Sequence, residues 1–525
     1  MQKWRGGLQR HWPSLIGLAV ALCLVVVTFF SPRLLPYNMD EFISYHQLGC
    51  FYRHDTSQTV IDNLQIEGCH KYDLRLPHTS QELPLRSFGY VGSLPGLVYY
   101  PFFAIIHSPI SERLQGLVFL LLACYLMARL LRVRYGHALL AVVLFPIFAF
   151  SFIADTGPVG LPIVLLLSTL LIIRRGFEAT SKQTFGYLAL AGFVSFLNFW
   201  IKPTFSWWLP VIFAYLFFWP AFVHIKKRRK FDGALGSGFR SLSFYLVGFL
   251  PLTLLLLATV DRDGSFYLQY LQATNQHIRS LHELGVNVRH LLPFFFNGNH
   301  ISSVVVVIKS AWEDLIPVVL MGALIAWWAW GKTKDPRPLI LLGCAFVTFW
   351  MDAIFGGRLT HHAVLVVVFL VMAAAILLER LPIVPLLVVS LVVGGYWLSI
   401  VARLPQAEVY ANTNKAKDRF IRQIEPLGNT STAQVNFSWG TYYITDLFDP
   451  KNQETLYFNL DVSPINQVVP ELHLLKNDGV KNILVVAEKD DYTAVYPAVS
   501  KAFGPSQRIY QQDNWSARLY KLSAQ

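Results

Sequence analysis

Residues 12–30 read WPSLIGLAVALCLVVVTFF, an apolar run long enough for a helix to cross the hydrocarbon core of a bilayer. Three basic residues precede it, and the acidic pair Asp40-Glu41 follows it. The run is too long for a signal-peptide core and lacks a small-x-small cleavage site, so we interpret it as a retained anchor. Basic residues before an anchor favour a cytoplasmic amino terminus.

Similar apolar blocks recur along the rest of the chain. Of its 525 residues, 54% are hydrophobic and only 14% are charged, whereas about a quarter of the residues in soluble proteins are charged. The composition predicts an α-helical polytopic membrane protein whose immediate partner is the lipid bilayer. Most of the net charge of +12 lies in short loops, where Lys and Arg report topology. We therefore expect no nucleic-acid partner.

Loops rich in Lys and Arg alternate with loops poor in them, which places the basic loops inside. The stretch 94–106 is short and holds two prolines, so we expect it to be juxtamembrane or re-entrant. About 11 transmembrane helices remain, with the amino terminus inside and the carboxyl terminus outside. The predicted spans are 12–30, 114–132, 138–154, 160–173, 185–200, 207–224, 242–260, 311–330, 338–354, 363–379 and 383–403.

The polar segments divide the chain into two predicted domains. Residues 1–403 form a transmembrane domain, with a first outer loop at 31–113 that contains juxtamembrane helices and a second at 261–310. The apolar spacing within 261–310 predicts an amphipathic helix along the membrane interface. Residues 404–525 are polar and predict a small extracytoplasmic α/β domain, with a strand at 482–487 preceded by a helical Leu472–Asp478.

Two of the five cysteines, Cys50 and Cys69, share the first outer loop. If that loop faces an oxidising compartment, the two can form a disulfide closing a loop of about 20 residues. Two free thiols are the alternative.

Unusual polar residues recur at the outer boundaries of the spans: Asp40, Glu41, Asp155, Lys202, Arg358, His361 and His362. Carboxylates can accept a proton from an attacking hydroxyl, and Lys and Arg can neutralise a phosphate leaving group. Structural alternatives stay open, because an aspartate can cap a helix, long cations can snorkel to headgroups and histidines can lie at the interface. No histidine spacing indicates a metal site, and no glycine-rich loop indicates nucleotide binding.

Taken in order, these elements resemble the GT-C superfamily of polyprenyl-phosphate-sugar-dependent glycosyltransferases. The nearest group is that of protein O-mannosyltransferases and bacterial lipid A aminoarabinose transferases. This sequence has Pro95-Gly96 where the family has a double proline, and His362 where it has a tyrosine. The similar segments are Asp40–Tyr45, Leu94–Tyr100 continuing through Glu112-Arg113, Asp155, Lys202-Pro203-Thr204 and Arg358–His362.

The resemblance implies the GT-C fold and inverting transfer of a sugar from a polyprenyl-phosphate donor, on the extracytoplasmic face of a bacterial inner (plasma) membrane. The acceptor would be a glycan, a lipid or a protein. Some members use a divalent metal and others do not, so no cofactor is certain. The implied catalytic residues are Asp40, as general base, and Glu41. The donor phosphate would contact Lys202, Arg358 and His361. The sugar or acceptor would contact Asp155, Tyr99, Tyr100 and His362.

Two other function classes fit a polytopic chain of this kind. A lipid-linked glycan ligase or polymerase also has many spans and a large outer loop, but that class typically places its catalytic basic residues in a late loop. A transporter places ionisable groups near the membrane midplane, often within inverted repeats. Here the ionisable groups cluster at one boundary, which favours the glycosyltransferase.

Overall fold

The computed structural model describes residues 15–29, 73–75, 82–88, 91–106, 110–153, 159–228, 234–260, 315–330, 335–355, 363–402, 415–416, 419–424, 427, 431–437, 456–459, 469, 472–512 and 514–522. Among the predicted site residues, Tyr99 and Lys202 are described with their side chains and Tyr100 with its backbone. The other predicted site residues, with the two loop cysteines, lie outside the described residues: Asp40, Glu41, Cys50, Cys69, Asp155, Arg358, His361 and His362. The helix predicted within 261–310 lies outside them as well.

Each of the eleven predicted spans coincides with one helix or, in one case, with a pair of helices. The helices are α1 (Leu15–Phe29), α2 (Leu94–Ile105), α3 (Ile110–Leu131), α4 (Tyr135–Leu144), α5 (Pro146–Ile153), α6 (Gly160–Glu178), α7 (Ser181–Ile201), α8 (Leu209–Arg228), α9 (Ala234–Val260), α10 (Leu315–Trp330), α11 (Arg337–Phe355), α12 (Ala363–Glu379), α13 (Ile383–Ala402) and α14 (Tyr492–Phe503). Within the described residues, α3, α6, α7, α9 and the stretch Phe205–Val223 are each long and apolar enough to cross a membrane. The chain is a polytopic α-helical membrane protein.

The predicted span at 138–154 is a pair of shorter helices, α4 and α5, that meet at Phe145. Pro146 causes the break, because it has no N–H to continue the helix and keeps the residue before it out of helical geometry. Phe145 accordingly has φ −115° and ψ 84°. At 1.5 Å per residue the pair is about 27 Å long, enough to cross the bilayer as one broken span.

Helix α12 is the core of the membrane-spanning part. Its sequence, AVLVVVFLVMAAAILLE, is apolar on every face, and every residue from Val364 to Leu378 except Leu370 is buried. A helix that is hydrophobic all round must be surrounded by others. Helix α12 packs against α4, α5, α10 and α11, while α7 packs between α6 and α9, and α9 also contacts α8.

Two glycines let α7 and α9 approach each other closely. A Cβ added at Gly192 of α7 would lie 2.0 Å from the carbonyl oxygen of Tyr245, and one added at Gly248 of α9 would lie 1.9 Å from that of Ala189. Small residues at such crossings let helix backbones approach closely within membranes. The reciprocal placement of these glycines fixes where the two helices cross.

Contacts within the chain divide it into two compact units. We call residues 1–31 and 113–406 the membrane unit, and residues 32–112 and 407–525 the sheet unit. This division groups residues 32–112 with the carboxyl-terminal part, whereas the sequence assigned 31–113 to the transmembrane domain. Two small antiparallel pairs belong to this stretch: β1 (Asp73–Arg75) with β2 (Glu82–Pro84), and β3 (Arg86–Phe88) with β4 (Val91–Gly92).

The sheet unit also contains a five-stranded sheet in the order β6-β5-β7-β9-β8. Strand β5 pairs in parallel with β6 and β7, and β9 pairs antiparallel with β7 and β8. The predicted strand at 482–487 is confirmed as β7, while Leu472–Asp478 is a 3-10 helix and α14 was not predicted. The strands are β5 (Thr432–Asn436), β6 (Leu456–Asn459), β7 (Asn482–Glu488), β8 (Arg508–Gln512) and β9 (Trp515–Lys521).

Candidate active site

Lys202 ends α7 in a sharp turn. Its backbone is extended, with φ −162° and ψ 129°, and its N–H donates to the carbonyl of Asn198 at 3.3 Å. Pro203 dictates this geometry, because a residue before proline is disfavoured in the helical region. Pro203 then begins a 3-10 helix, Pro203–Trp208, in which Phe205 N–H donates to the Lys202 carbonyl at 3.1 Å. The lysine is 7% exposed, so its cationic side chain is enclosed by protein.

The 3-10 helix after Lys202 is anchored to the first turn of α12. Trp208 is buried, and its indole N–H donates to the carbonyl of Leu365 at 3.0 Å. The ring of Phe205 stacks on that of Trp208 with centroids 5.6 Å apart. Buried tryptophan normally finds a partner for its N–H, and here that bond joins residues 157 positions apart in sequence. The turn is therefore fixed to the beginning of α12, directly after residues 356–362.

A second hydrogen bond fixes the last turn of α7 to the first turn of α6. Asn198 is buried, and its Nδ2 donates to the carbonyl of Pro162 at 3.1 Å. The Pro162 carbonyl lies in the first turn of α6, directly after residues 154–158. We call this end of the membrane unit, where α6 and α12 begin and α7 ends, the Lys202 end.

Buried polar side chains are concentrated in the first turns of α3, which the sequence analysis did not propose as site residues. Arg113 is fully buried, although arginine is rarely so without partners. Gln115 is also fully buried, and neither its Oε1 nor its Nε2 has a hydrogen-bond partner in the described part of the chain; the same holds for Asn198 Oδ1. In a sequence, an uncharged amide residue within an apolar span indicates a buried polar position of this kind.

Helix α3 meets α5 at this same end. A Cβ at Gly116 would lie 1.9 Å from the carbonyl oxygen of Phe152, so the two backbones are in contact one residue before α5 ends at Ile153. A Cβ at Gly160, the first residue of α6, would contact the rings of Phe152 and Phe119 at 3.1 and 3.4 Å. The helix ends on both sides of residues 154–158 thus pack on α3.

Tyr99 and Tyr100 lie in α2, which belongs to the sheet unit. The helix has 12 residues with Pro95 in its first turn and Pro101 within it, so it is about 18 Å long and too short to span a bilayer. The ring of Tyr99 is buried. Its predicted role toward a sugar or acceptor stays a prediction.

Ionisable groups at the opposite end of the membrane unit form structural ion pairs. Asp335 lies 2.8 Å from Arg337 and 2.6 Å from Arg380, while Glu379 lies 2.6 Å from His137 Nδ1. Burial alone would raise the pKa of Asp335, but hydrogen bonds and charge from Arg337, together with Arg380, hold it below its ordinary value of 3.8. These ion pairs join helix ends and loops at this end of the membrane unit.

No group of three or more His, Cys, Asp or Glu side chains among the described residues could hold a metal ion. The acidic and histidine site residues predicted from the sequence all lie outside the described residues: Asp40, Glu41, Asp155, His361 and His362.

Comparison with solved structures identifies the fold. The apo crystal structure of ArnT from Cupriavidus metallidurans aligns over 96% of this chain and 97% of its own, with a TM-score of 0.50 and 13% sequence identity. The chain has the fold of ArnT. The crystal structure of the same protein bound to undecaprenyl phosphate aligns over 97% and 98% of the two chains, with a TM-score of 0.49 and 13% identity. The alignment with the apo structure confirms the fold class predicted from the sequence, a polytopic α-helical membrane protein with a small carboxyl-terminal sheet.

No family model matches the chain, and no curated protein matches it. At 13% identity the likeness to ArnT concerns the arrangement of the helices. The roles of individual residues therefore have to be argued from this chain.

Proposed function

We propose that the protein is a membrane glycosyltransferase that moves a sugar from a polyprenyl-phosphate donor to a hydroxyl-bearing acceptor on the extracytoplasmic face. The Asp40 carboxylate removes the proton from the acceptor hydroxyl, whose oxygen attacks the anomeric carbon of the sugar. The bond from that carbon to the phosphate oxygen breaks, and polyprenyl phosphate leaves with the bond electrons. Attack from the face opposite the phosphate inverts the anomeric centre.

The other predicted residues support this displacement. Lys202, Arg358 and His361 surround the leaving phosphate, whose charge grows as the bond breaks, and cations placed there stabilise the transition state. Glu41 supports the acceptor or the geometry of Asp40. Asp155, Tyr99, Tyr100 and His362 contact the sugar or acceptor.

The observation that carries the proposal is the pair of hydrogen bonds around Lys202. Asn198 to Pro162 and Trp208 to Leu365 hold the lysine turn beside the first turns of α6 and α12. Asp155 precedes Gly160 by five residues, and Arg358 precedes Ala363 by five. Both predicted residues are therefore close in sequence to these first turns, which supports assigning them to the same site as Lys202.

Two further features support the same site. Gln115 and Asn198 retain buried hydrogen-bonding atoms without partners in the described region, and such atoms in a native protein call for an explanation, of which a polar ligand is one. The chain has the fold of ArnT, and bacterial lipid A aminoarabinose transferases are among the enzymes that its sequence motifs resemble. The resemblance of the sequence motifs points to the same reaction class.

Asp40→Asn tests the proposal. The substitution keeps the size of the side chain and removes the proton acceptor, so we expect transfer to fall by about 100-fold or more. The measurement compares glycans and glycolipids, by mass spectrometry, from cells expressing the wild type, the variant or neither. The sugar present only with the wild type identifies the group transferred.

Asp490→Asn is the matched control, since Asp490 is an exposed carboxylate of the sheet unit. Detergent-solubilised protein from each strain shows whether the variants are expressed and folded equally. Wild-type transfer by folded Asp40→Asn would remove Asp40 as the base. Identical glycan profiles with and without the wild-type protein would exclude the glycosyltransferase itself.

A further inference from the structure

A cavity of about 350 Å³ opens at the end of the membrane unit opposite Lys202, where α3 and α6 end. Its charged lining consists of Arg129, Arg132, Arg174, Arg175 and Glu178. Four guanidinium groups and one carboxylate leave it with a net charge of +3. Basic residues at membrane-helix ends report topology, but that role alone does not require them to converge on one cavity.

Arg132 occupies a backbone position that ordinarily favours glycine. It ends α3 with φ +57°, in the left-handed region, and Val133 N–H donates back to the carbonyl of Ala128 at 3.1 Å. This is the six-to-one bond of a Schellman cap, in which the left-handed residue is usually glycine. An arginine there carries a conformational cost, and strain of this kind in a native protein points to a use for the side chain.

The carboxylate of Glu178 occupies two of the four guanidinium groups. It accepts from Arg132 at 2.7 Å and from Arg174 at 3.0 Å. Arg174 also donates to the carbonyls of Leu130 and Arg129 at the end of α3. It thereby covers carbonyl oxygens whose partial negative charge would otherwise repel an anion.

Arg129 and Arg175 complete the positive lining. Glu178 is the one acidic residue in the cavity, and no ion pair of either arginine occurs within the described part of the chain. Both residues are exposed rather than buried. Two cations therefore remain to meet an anionic ligand, and arginine suits phosphate because its planar donors match phosphate oxygens.

The apolar part of the lining distinguishes a lipid from a free ion. Ala128, Val133 and Leu171 form it; Ala128 and Leu171 belong to the membrane helices α3 and α6, and Val133 directly follows the end of α3. A volume of about 350 Å³ lies at the small end of ligand pockets, suited to one headgroup. Basic pockets between helices at a membrane surface are known sites for lipid phosphates.

We propose that this arginine pocket binds the phosphate of an anionic phospholipid headgroup in the leaflet opposite Lys202. The ligand is a phosphodiester whose acyl chains lie along the apolar wall. The inference is independent of the proposed transferase function, because the pocket is at the other end of the membrane unit.

The test uses the full-length protein purified in a nonionic detergent and titrated with phosphatidylglycerol, with phosphatidylcholine and with inorganic phosphate. Native mass spectrometry reports the bound lipid. We expect phosphatidylglycerol to bind in preference to phosphatidylcholine, and Arg129→Gln and Arg175→Gln each to weaken its binding about fivefold, as the loss of one cation near a lipid phosphate predicts. Inorganic phosphate should not displace it at equal concentration.

Lys182→Gln is the matched control, because it removes one exposed cation from the same end without altering the lining. If Lys182→Gln weakened phosphatidylglycerol binding as much as the arginine substitutions do, the binding would be due to general surface charge and the site would be overturned. Equal binding of phosphatidylglycerol and phosphatidylcholine would overturn it as well. Displacement by inorganic phosphate would overturn the lipid assignment. Arg132→Gly separates fold from binding: the variant should fold at least as stably and yet bind phosphatidylglycerol more weakly, because the lining loses one of its four cations, and unchanged binding would contradict the proposal.

Discussion

At the scale of single residues, a lysine that is 7% exposed at the end of a membrane helix is costly unless something nearby uses its charge. Lys202 could be chosen from the sequence because it interrupts an apolar run and precedes a proline, which together indicate a turn at a span boundary. Asn198 and Gln115 were missed because an amide within an apolar span carries no charge. The Asn198 bond to Pro162 joins residues 36 positions apart, which local sequence does not reveal.

Lys202→Ala is predicted to weaken donor binding more than turnover. Loss of a charge-assisted hydrogen bond to the donor phosphate should raise the KM for donor about 10-fold to 100-fold, with a smaller change in kcat. Steady-state kinetics against donor concentration in detergent separates the two constants. Lys202→Arg should recover part of the affinity, since it restores the cation.

Lys182→Ala serves as control for this prediction, because it removes a lysine from the opposite end of the same helix. It should leave both constants unchanged. A Lys202→Ala enzyme with wild-type donor KM would rule out the phosphate role and leave Lys202 as a structural residue of the turn.

At the scale of elements, spacing of apolar residues predicted where helices occur, and local chemistry determined where they end. Helix α6 continues to Glu178, five residues past the predicted end at 173, because Arg174 and Glu178 pair one turn apart at 3.0 Å and stabilise the last turn. The break at Phe145 follows from Pro146, which the predicted span overlooked. The contact of α7 with α9 depends on which glycines face each other, a tertiary property that periodicity does not contain.

Gly192→Ala is predicted to destabilise the membrane unit, because the new Cβ would lie 2.0 Å from the carbonyl oxygen of Tyr245. Separating two packed helices to admit a methyl group costs about 1–3 kcal/mol. Gly186→Ala, in the same helix, is the matched control, since nothing lies within 4 Å of its Cβ position. That change should be neutral or slightly stabilising, as alanine favours helix over glycine. Thermal unfolding in detergent measures both, and equal melting temperatures would contradict the close crossing.

At the scale of the whole molecule, hydropathy and loop charge predicted the polytopic class and the helical segments, because both act along the chain without tertiary information. The GT-C fold was implied by the resemblance of the boundary motifs to that superfamily. Contacts within the chain group residues 32–112 with 407–525, although residues 113–406 separate the two segments in sequence, and apolar periodicity carries no information on contacts between such distant segments. The candidate site was predictable only in part. Its charged residues stand out at span boundaries, but the hydrogen bonds that gather the helix ends around Lys202 join distant parts of the sequence.

The number of times the chain crosses the membrane can be tested with reporter fusions. The eleven predicted spans, with α4 and α5 counted as one, predict that the two termini lie on opposite sides of the membrane, and the basic loops predict that the amino terminus is inside. Alkaline phosphatase requires disulfides that form only outside the cytoplasm. Fused after Val260 or Gln406 it should therefore be active, and fused after Arg228 or Trp330 inactive, with green fluorescent protein giving the reverse pattern. Phosphatase activity after Arg228 would show that the topology is the inverse of the predicted one. Fluorescence after Gln406, together with phosphatase activity after Val260, would show an even number of crossings.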